Sequence, residues 1–341
     1  MNLEKEWEQK SKKYSRFSSH NIKSTTNLSN KFMQSVTKIK VVGIGGSGCN
    51  AILRMSKVDI KGIELIAINT DDQDLKKTRA DFKLRIGKNI TQGLGAGMNP
   101  EIGKKAAQEN RTEIQEALKN SDMIFITCGL GGGTGSGASP IIAEVAKNSG
   151  ALTAAIVTRP FSFEGIYRRK IAENAERLLK GKVDSLIAIE NDKLLENLDH
   201  KISVSAAFWT CDDILRQAVQ GITDLIFLPG IINVDFADVN SIMKNSGTAL
   251  FGIGSAYGEN RAQEAAKLAI NSLLLNISCK GAKGVLFNVS GGDDLSLSEI
   301  DEVAKVITQE INPEAKVIFG ALKDKNLKEG EIKVSVIATG F

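Results

Sequence analysis

The sequence has few of the residues from which metal centres, histidine-based catalytic sites and disulfide frameworks are built. Histidine occurs only at positions 20 and 200. Without a His-x-x-x-His pair, neither a histidine metal site nor histidine catalysis is expected. The four cysteines, at positions 49, 128, 211 and 279, fit neither a zinc motif nor a disulfide framework. We therefore expect reduced thiols and a cytosolic protein.

Long apolar runs and a charge surplus over the body of the chain are also missing. No stretch is long enough to span a bilayer, and no apolar N-terminal stretch resembles a secretory signal peptide. The formal net charge is +4, and residues 1–37 carry seven Lys or Arg against three Asp or Glu. The remaining residues are neutral overall, which argues against a nucleic-acid-binding surface on the fold itself.

Residues 1–37 are rich in Ser, Asn and Lys, which predicts a disordered basic tail. Leu3, Trp7, Tyr14 and Phe17 follow helical spacing among basic residues, as in a helix that makes weak contact with a membrane surface. Three glutamates in the same segment would oppose an anionic surface. An incidental pattern in a disordered tail is therefore the favoured interpretation.

The most informative segment is residues 128–140. Five glycines within residues 131–137 follow an apolar, strand-like run and precede a helix-like stretch. A backbone without Cβ atoms can approach a ligand closely, and N–H groups at a helix start form a site of positive potential. The segment predicts a phosphate-binding loop. The alternative is a loose glycine turn, but most turns need one or two glycines.

A second glycine segment follows the first predicted strand. Gly43, Gly45 and Gly48 satisfy G-x-G-x-x-G, and Asp71 follows the next strand, where a dinucleotide fold places its ribose ligand. Alone, this pattern would favour NAD. Two glycine cradles that meet on one ligand instead suit a nucleotide with a longer phosphate chain. Residues 90–103 do not form a Walker loop, and are either a mobile phosphate-sensing loop or a surface connection.

The order of strand-like and helix-like stretches predicts the fold class. They alternate up to about residue 190, which indicates a doubly wound parallel sheet in residues 38–203. An apolar stripe that starts at Phe208 predicts a long, buried central helix within residues 204–228. Residues 229–341 contain four further strand-like stretches and two helical ones. They predict a smaller α/β domain that ends in a hairpin.

Three pairs of residues at the ends of elements are candidates for function. Glu164 and Arg168 follow a strand end, and either contact a ribose or base or form an i,i+4 surface pair. Phe208 and Asp212 lie one helical turn apart. An aromatic ring stacks on a base and a carboxylate accepts two N–H bonds from guanine, but a buried Phe beside a capping Asp is an equal alternative. The remaining pair, Asp235 and Asp238, brackets a helix start, where Asp is ordinarily an N-cap.

These residues belong to a series of motifs that resembles the FtsZ family, the bacterial tubulin-like cell-division GTPases. Residues 131–137 match the signature that tubulins and FtsZ share. The motifs that are similar to FtsZ alone are Asn69-Thr70-Asp71, Gly93-Leu94-Gly95-Ala96-Gly97, Pro160-Phe161-x-Phe163-Glu164-Gly165, Asn191-Asp192-Lys193-Leu194, Arg216-Gln217-x-Val219-Gln220-Gly221, Asp235-Phe236-Ala237-Asp238-Val239 and the ending Val336-Ile337-Ala338-Thr339-Gly340-Phe341. The resemblance covers about residues 38–341 and implies a tubulin/FtsZ-like fold.

The resemblance implies a site for GTP or GDP, with Mg²⁺ held by the phosphates and water. Glu164 and Arg168 would lie near the ribose, and Asn50, Asn191 and the Phe208–Asp212 pair near the guanine. The complete set of nucleotide-binding residues implied in this way is Gly45, Gly46, Ser47, Gly48, Cys49, Asn50, Asp71, Ala96, Gly97, Gly131, Gly132, Gly133, Thr134, Gly135, Ser136, Gly137, Glu164, Arg168, Asn191, Phe208 and Asp212.

The resemblance also implies head-to-tail polymerisation into filaments of a division ring, in the cytoplasm at midcell. The loop of residues 230–239 would enter the nucleotide site of the next subunit with Asn233, Asp235 and Asp238. The two carboxylates would polarise a water for attack on the γ-phosphate. Further implied partners are membrane tethers and regulators of the ring, but no nucleic acid.

The chain departs from the family pattern in two places. The sequence stops at Phe341, where family members usually continue into a linker and a peptide that binds tethers, so either the sequence is truncated there or tethering is achieved in another way. Trp209-Thr210-Cys211 stands where more polar residues are expected.

Two other function classes also remain. One is a tubulin-like GTP binder that does not assemble, against which Asp235 and Asp238 weigh. The other is an NAD-dependent enzyme, which rests on the first glycine segment alone.

Overall fold

Ten strands of the described residues form one sheet in a computed structural model that describes residues 37–58, 60–195, 203–271, 279–324 and 327–341. The predicted tail, with its candidate membrane contact, lies outside the described residues, except for Thr37. The strands are β1 Ile39–Ile44, β2 Ile63–Asn69, β3 Phe82–Arg85, β4 Met123–Gly129, β5 Leu152–Arg159, β6 Ser185–Glu190, β7 Gly247–Tyr257, β8 Gly284–Gly291, β9 Lys316–Lys323 and β10 Glu331–Thr339.

The helices cover the faces of this sheet. They are α1 Gly45–Met55, α2 Asp72–Lys77, α3 Lys88–Thr91, α4 Pro100–Glu109, α5 Arg111–Leu118, α6 Thr134–Asn148, α7 Ile166–Lys180, α8 Asn191–Leu195, α9 Val204–Phe227, α10 Phe236–Met243, α11 Arg261–Ile270 and α12 Leu297–Gln309. Among the residues that the structure describes, no helix is long and apolar enough to cross a membrane.

The first half of the sheet is parallel and has the strand order β3-β2-β1-β4-β5-β6. Its inner strands are buried on both faces. Val41 and Phe125 belong to the apolar cluster that contains α9, whereas Val42 and Ile126 belong to the cluster under α6. Strands covered by helices on both faces have near-continuous apolar sequences, which is why the sequence pattern identified them. The predicted doubly wound parallel sheet is confirmed.

Both glycine segments lie largely in helices, which corrects their assignment as loops. Helix α1 begins at Gly45 directly after β1, and α6 begins at Thr134, seven residues before the predicted helical stretch at Ile141. Residues 101–118, whose sequence predicts one continuous helix, belong to two helices. Asn110 lies between them, and its side chain accepts the backbone N–H of Gly87 at 2.8 Å. Glycine-rich helix starts have no apolar periodicity, so sequence patterns place these boundaries too late.

Helix α9 runs through the core that both halves of the molecule share. Ser203 caps its N-terminus by accepting the backbone N–H of Ala206 at 3.2 Å. Its buried face packs in one apolar cluster with residues of β1, β5, β7 and β8. The predicted stripe is buried as expected from Cys211 onward, but Phe208 at its start is 40% exposed. Phe208 lies at a cavity described below, and not in the core.

The second half of the sheet has the order β7-β10-β8-β9, and the predicted C-terminal hairpin is wrong. Strand β9 pairs with β8 in parallel, whereas β10 lies antiparallel between β7 and β8. Ile332 and Val334 on β10 are fully buried, while Val317 and Phe319 on β9 are more than one third exposed. Strand β10 therefore takes the central position and β9 the edge, although the two are consecutive in sequence.

Arg261 joins α11 to the start of α12 and provides a test of this half of the fold. Its nearly buried guanidinium donates to Glu299 at 2.6 Å and to Asp294 at 2.5 Å. Arg261→Met should lower the free energy of unfolding by about 2 kcal/mol, because both carboxylates lose a charged partner. The urea midpoint measures this. Lys305→Met, which removes an exposed i,i+4 pair with Asp301, is the control and should cost less than about 0.5 kcal/mol. Equal shifts would contradict the prediction.

Candidate functional site

A cavity of about 440 Å³ lies at the carboxyl end of the parallel strands. The chain leaves β1 toward β2 and β3, and later passes to the other side of β1 with β4, so the cavity lies at the switch point of the sheet, where open α/β folds bind ligands. Its lining residues are Ile44, Gly45, Gly46, Ser47, Asn50, Asn69, Asp71, Asp74, Gly95, Ala96, Gly129, Leu130, Gly132, Gly133, Thr134, Gly135, Thr158, Pro160, Glu164, Arg168, Asn191, Phe208, Cys211 and Asp212.

One end of the cavity is formed by the first turns of α1 and α6, which touch. Gly45 has φ +71°, and a Cβ there would lie 2.9 Å from the backbone nitrogen of Gly135, so glycine is required. A Cβ on Gly132 would meet no atom within 4 Å, so this backbone faces open space. The first N–H groups of two helices therefore converge on one volume. This arrangement favours phosphate.

Two buried side-chain atoms in the lining have no hydrogen-bond partner within the protein. These atoms are Asn69 Nδ2, at the end of β2, and Asn191 Oδ1, at the start of α8. Buried polar groups in native proteins are almost always satisfied, so a donor and an acceptor at the wall of a cavity indicate a polar ligand or water. The residues present therefore fit a nucleotide, whose phosphates, ribose and base all carry polar groups.

Asp71 has a structural role besides facing the cavity. Its Oδ1 accepts the backbone N–H groups of Gln73 and Asp74, at 2.9 and 3.2 Å, and so caps α2. The preceding Thr70 forms a buried hydroxyl–hydroxyl hydrogen bond of 2.8 Å with Thr134. This bond ties the end of β2 to the start of α6, and so holds Asp71 beside the glycine turn.

Glu164 and Arg168 satisfy both alternatives that the sequence left open. They form an i,i+4 ion pair of 3.2 Å, and both line the cavity. Glu164 Oε1 also accepts the backbone N–H of Phe161 at 3.0 Å, which fixes the turn after β5. Arg159, at the end of β5, contacts Glu190 and donates to Glu176 at 2.7 Å. The ends of β5 and β6 are thereby held together beside Asn191.

The opposite end of the cavity contains aromatic rings and a buried carboxylate. Phe208 meets Phe161 edge to face, with 5.3 Å between ring centroids. Asp212 is buried and its Oδ2 accepts a hydrogen bond of 3.0 Å from Arg54 Nε. Burial raises the pKa of Asp212 to about 6, although the Arg54 hydrogen bond opposes this rise. The "buried Phe beside a capping Asp" alternative does not describe these residues, because Ser203 caps α9 and Phe208 is partly exposed.

Six residues of the predicted nucleotide-binding set are absent from the lining, and most of them pack the walls. These residues are Gly48, Cys49, Gly97, Gly131, Ser136 and Gly137. Cys49 is buried, which raises its pKa to about 12. Ser136 Oγ accepts the backbone N–H of Gly131 at 2.9 Å, and a Cβ on Gly137 would lie 1.9 Å from the carbonyl oxygen of Pro100. Their direct contact with a nucleotide stays a prediction.

Asn233, Asp235 and Asp238 lie outside the cavity lining; the first two lie between α9 and α10, and Asp238 lies in the first turn of α10. Asp235 caps α10, since its Oδ1 accepts the backbone N–H of Asp238 at 2.8 Å. The side chain of Asn233 accepts the backbone N–H of Gly230 at 2.7 Å. Asn233 and Asp235 are solvent-exposed. Among the described residues no group of three or more His, Cys, Asp or Glu is arranged to hold a metal ion.

Several lining residues were not singled out from the sequence as ligand contacts. Asn69, Asp74 and Gly95 lie in or beside quoted motifs, and Thr158 and Pro160 lie at the end of β5. Their position at or after the carboxyl ends of parallel strands could have identified them as ligand contacts, since these strand ends open into the ligand crevice. Cys211 could not be found in this way, because only the packing of α9 turns it toward the cavity.

Comparison with known proteins gives matches over nearly the whole chain. Residues 38–199 match the model of the Tubulin/FtsZ family GTPase domain, and residues 247–341 match that of the FtsZ family C-terminal domain. A solved structure titled as an empty FtsZ dimer from M. jannaschii is 47% identical, with a TM-score of 0.86 over 90% of this chain and 89% of that one. A point mutant of FtsZ from the same organism has the same identity and TM-score over 90% and 92%.

A more distant match shows the fold alone. CetZ2 from Haloferax volcanii, solved as a GTPγS-bound protofilament, is 20% identical, with a TM-score of 0.76 over 89% of this chain and 92% of that chain. The two domain matches and the 47% identity to M. jannaschii FtsZ agree with the cavity at the switch point and with a C-terminal domain built on the second half of the sheet. The chain belongs to the FtsZ family of tubulin-like GTPases.

Proposed function

We propose that this protein binds GTP in the cavity and hydrolyses it to GDP and phosphate as it polymerises head to tail into filaments of a cell-division ring. One observation carries the proposal. The cavity has a glycine cradle, two unsatisfied asparagine atoms and a buried carboxylate, whereas the candidate hydrolytic acids, Asp235 and Asp238, lie outside its lining. A subunit with its acids outside its own pocket requires a second subunit to complete the reaction.

The parts of the nucleotide are assigned by the chemistry of the lining. Backbone N–H groups at Gly45–Ser47 and Gly132–Gly135 hold the phosphates, with Mg²⁺ coordinated by phosphate oxygens and water. Glu164 and Arg168 hold the ribose. At the base, Phe208 stacks and Asp212 accepts two N–H groups of guanine, a pair of donors that adenine lacks. Asn50 and Asn191 complete the contacts to the guanine.

Hydrolysis is assigned to the loop of residues 230–239 acting in the pocket of the adjacent subunit. Asp235 and Asp238 orient and polarise the attacking water, and Asn233 supports them. Phosphoryl transfer depends mainly on positioning and electrostatics. Two carboxylates that assembly brings to the γ-phosphate are therefore sufficient to couple polymerisation to GTP hydrolysis. Within the chain, residues 38–203 serve as the GTP-binding unit, α9 within 204–228 as the link, and residues 229–341 as the unit that carries the activating loop.

Self-association is the first partner in this proposal. The M. jannaschii FtsZ match is a dimer and the CetZ2 match a protofilament, which supports assembly of this family member with itself. We place the filaments in the cytoplasm at midcell, with membrane tethers and regulators of the ring as further partners.

The test is the GTPase rate per molecule as a function of protein concentration, with Mg²⁺ present and light scattering recorded in parallel. We expect a rate near zero below a critical concentration, and a rate that rises together with scattering above it. A constant rate per molecule without scattering would mean a self-contained GTPase. Binding of GTP with neither hydrolysis nor scattering at any concentration would favour a non-assembling GTP binder, and affinity for NAD instead of GTP would favour the NAD-dependent enzyme.

A further inference from the structure

Arg54 links the base end of the cavity to a helix that is remote in sequence. It lies in the last turn of α1, and its Nε donates to Oδ2 of Asp212, 158 residues later on α9, at 3.0 Å. The Asp212 side chain is 8% exposed and that of Arg54 23%, so the pair is largely withdrawn from water. Arg54 occupies one lone pair of Oδ2, so Oδ1 and the second lone pair of Oδ2 remain for a ligand in the cavity that Asp212 lines.

Trp209 holds the same guanidinium from a second direction. Trp209 and Asp212 are three residues apart and thus neighbours on one face of α9. The Cζ atom of Arg54 lies 5.5 Å from the centroid of the Trp209 ring. A guanidinium over an indole face is attracted by the ring and loses rotamer freedom. Trp209, a departure from the expected family pattern, therefore restrains Arg54 in the position from which it contacts Asp212.

Asp212 depends on this cation for its charge. Its burial favours the neutral carboxyl and raises its pKa to about 6, and Arg54 is the charged neighbour that opposes this rise. Asp213, the adjacent acid, is already bonded to Arg216 and Gln217, and Glu164 and Arg168 across the cavity pair with each other. Without Arg54 the Asp212 carboxyl would carry a proton near neutral pH. A protonated carboxyl is a donor at one oxygen and cannot accept from both N–H groups of one guanine edge.

We propose that Arg54, restrained by Trp209, is a positioning residue that sets the base selectivity of the cavity by holding Asp212 as a double acceptor for the guanine edge. The nucleotides selected are those whose base offers two adjacent N–H donors, at ring N1 and the exocyclic 2-amino group. Hypoxanthine offers the first donor alone. The inference rests on the proposed function, in that it assumes a guanine nucleotide in this cavity.

The test compares affinities for GDP and IDP, measured by displacement of a fluorescent ribose-labelled GDP with Mg²⁺ present. The unmodified protein should prefer GDP by about tenfold or more, since one hydrogen bond to a charged acceptor separates the two bases. Arg54→Gln should reduce this preference to within about threefold at pH 7 and regain it at alkaline pH, where Asp212 ionises. Arg54→Lys, which keeps the charge, should retain most of the preference. Arg111→Gln is the control. It breaks the 2.8 Å ion pair with Glu144, which does not line the cavity, and should leave the preference for GDP over IDP unchanged.

An unchanged GDP preference in Arg54→Gln, or an equal loss of affinity for both nucleotides, would overturn the proposal, since either result assigns Arg54 a merely structural role. Should this variant fail to fold, the unmodified protein still decides the matter. Its GDP preference should fall as pH drops through about 6, where the free carboxyl gains its proton. A GDP preference over IDP that stays constant from pH 5.5 to 8 would overturn the proposal. Failure of the unmodified protein to bind GDP at all would contradict the proposed function instead.

Discussion

Asp235→Asn is expected to bind GDP and GTP as the unmodified protein does and to lose at least about 100-fold in GTPase rate at assembling concentration. The size follows from removing a group that orients and activates the attacking water. Asparagine caps helices as well as aspartate, so the backbone N–H of Asp238 keeps its partner and α10 stays in place. Asp235→Ala would mix the loss of the charge with the loss of the cap. A phosphate-release assay with parallel light scattering measures the effect.

Complementation shows whether Asp235 acts on its own nucleotide or on that of its neighbour. Gly132→Asp supplies the partner variant, because its side chain would enter open space in the cavity and repel phosphate. In an equal mixture with Asp235→Asn, half of the pockets and half of the acids are intact. Head-to-tail contacts at random should then restore about one quarter of the unmodified rate, although neither variant is active alone. A mixture as inactive as its components, despite scattering that shows joint assembly, would contradict action between subunits.

Gly137→Ala is expected to lower the free energy of unfolding by about 3 kcal/mol or more. A Cβ at this position would lie 1.9 Å from the carbonyl oxygen of Pro100 and 2.8 Å from the backbone nitrogen of Lys104. Since both are main-chain atoms, α4 and α6 must separate to admit one methyl group, and overpacking of this kind is costly. The separation also displaces the first turn of α6, so weaker GDP binding should accompany the loss. Urea unfolding and GDP titration measure the two effects.

Gly181→Ala is the matched control for this prediction. Gly181 ends α7 with φ −77°, and the atom nearest to its added Cβ is the carbonyl oxygen of Leu178 at 3.8 Å. The substitution should change stability by less than about 1 kcal/mol, and it can be stabilising. If Gly137→Ala were as stable as this control and lost only GDP affinity, Gly137 would contact the nucleotide, as the family resemblance implies, and its packing role would be minor.

Five of the six strands of the parallel half could be predicted from the sequence, whereas β3, the helix starts and the strand neighbours could not. The sequence predicts strands at 63–69 and 185–189, and the structure has β2 and β6 within a residue of these limits, because burial on both faces leaves a continuous apolar signal. The starts of α1 and α6 were placed late, since glycine and serine carry no periodicity. The hairpin of β9 and β10 was expected from adjacency in sequence, but β10 lies between β7 and β8 and leaves β9 at the edge, an order that depends on pairing with strands remote in sequence.

The sequence by itself determined the family and predicted the chemistry of the site, because its glycine segments and the residues after each parallel strand are local patterns with a local physical cause. The tertiary structure alone decided which of those residues face the cavity, since Gly137 packs on Pro100 while Gly132 faces open space. It also decided the partner of Asp212. An ion pair between residues 158 positions apart leaves no trace in spacing, and it arises only when α1 and α9 pack against each other.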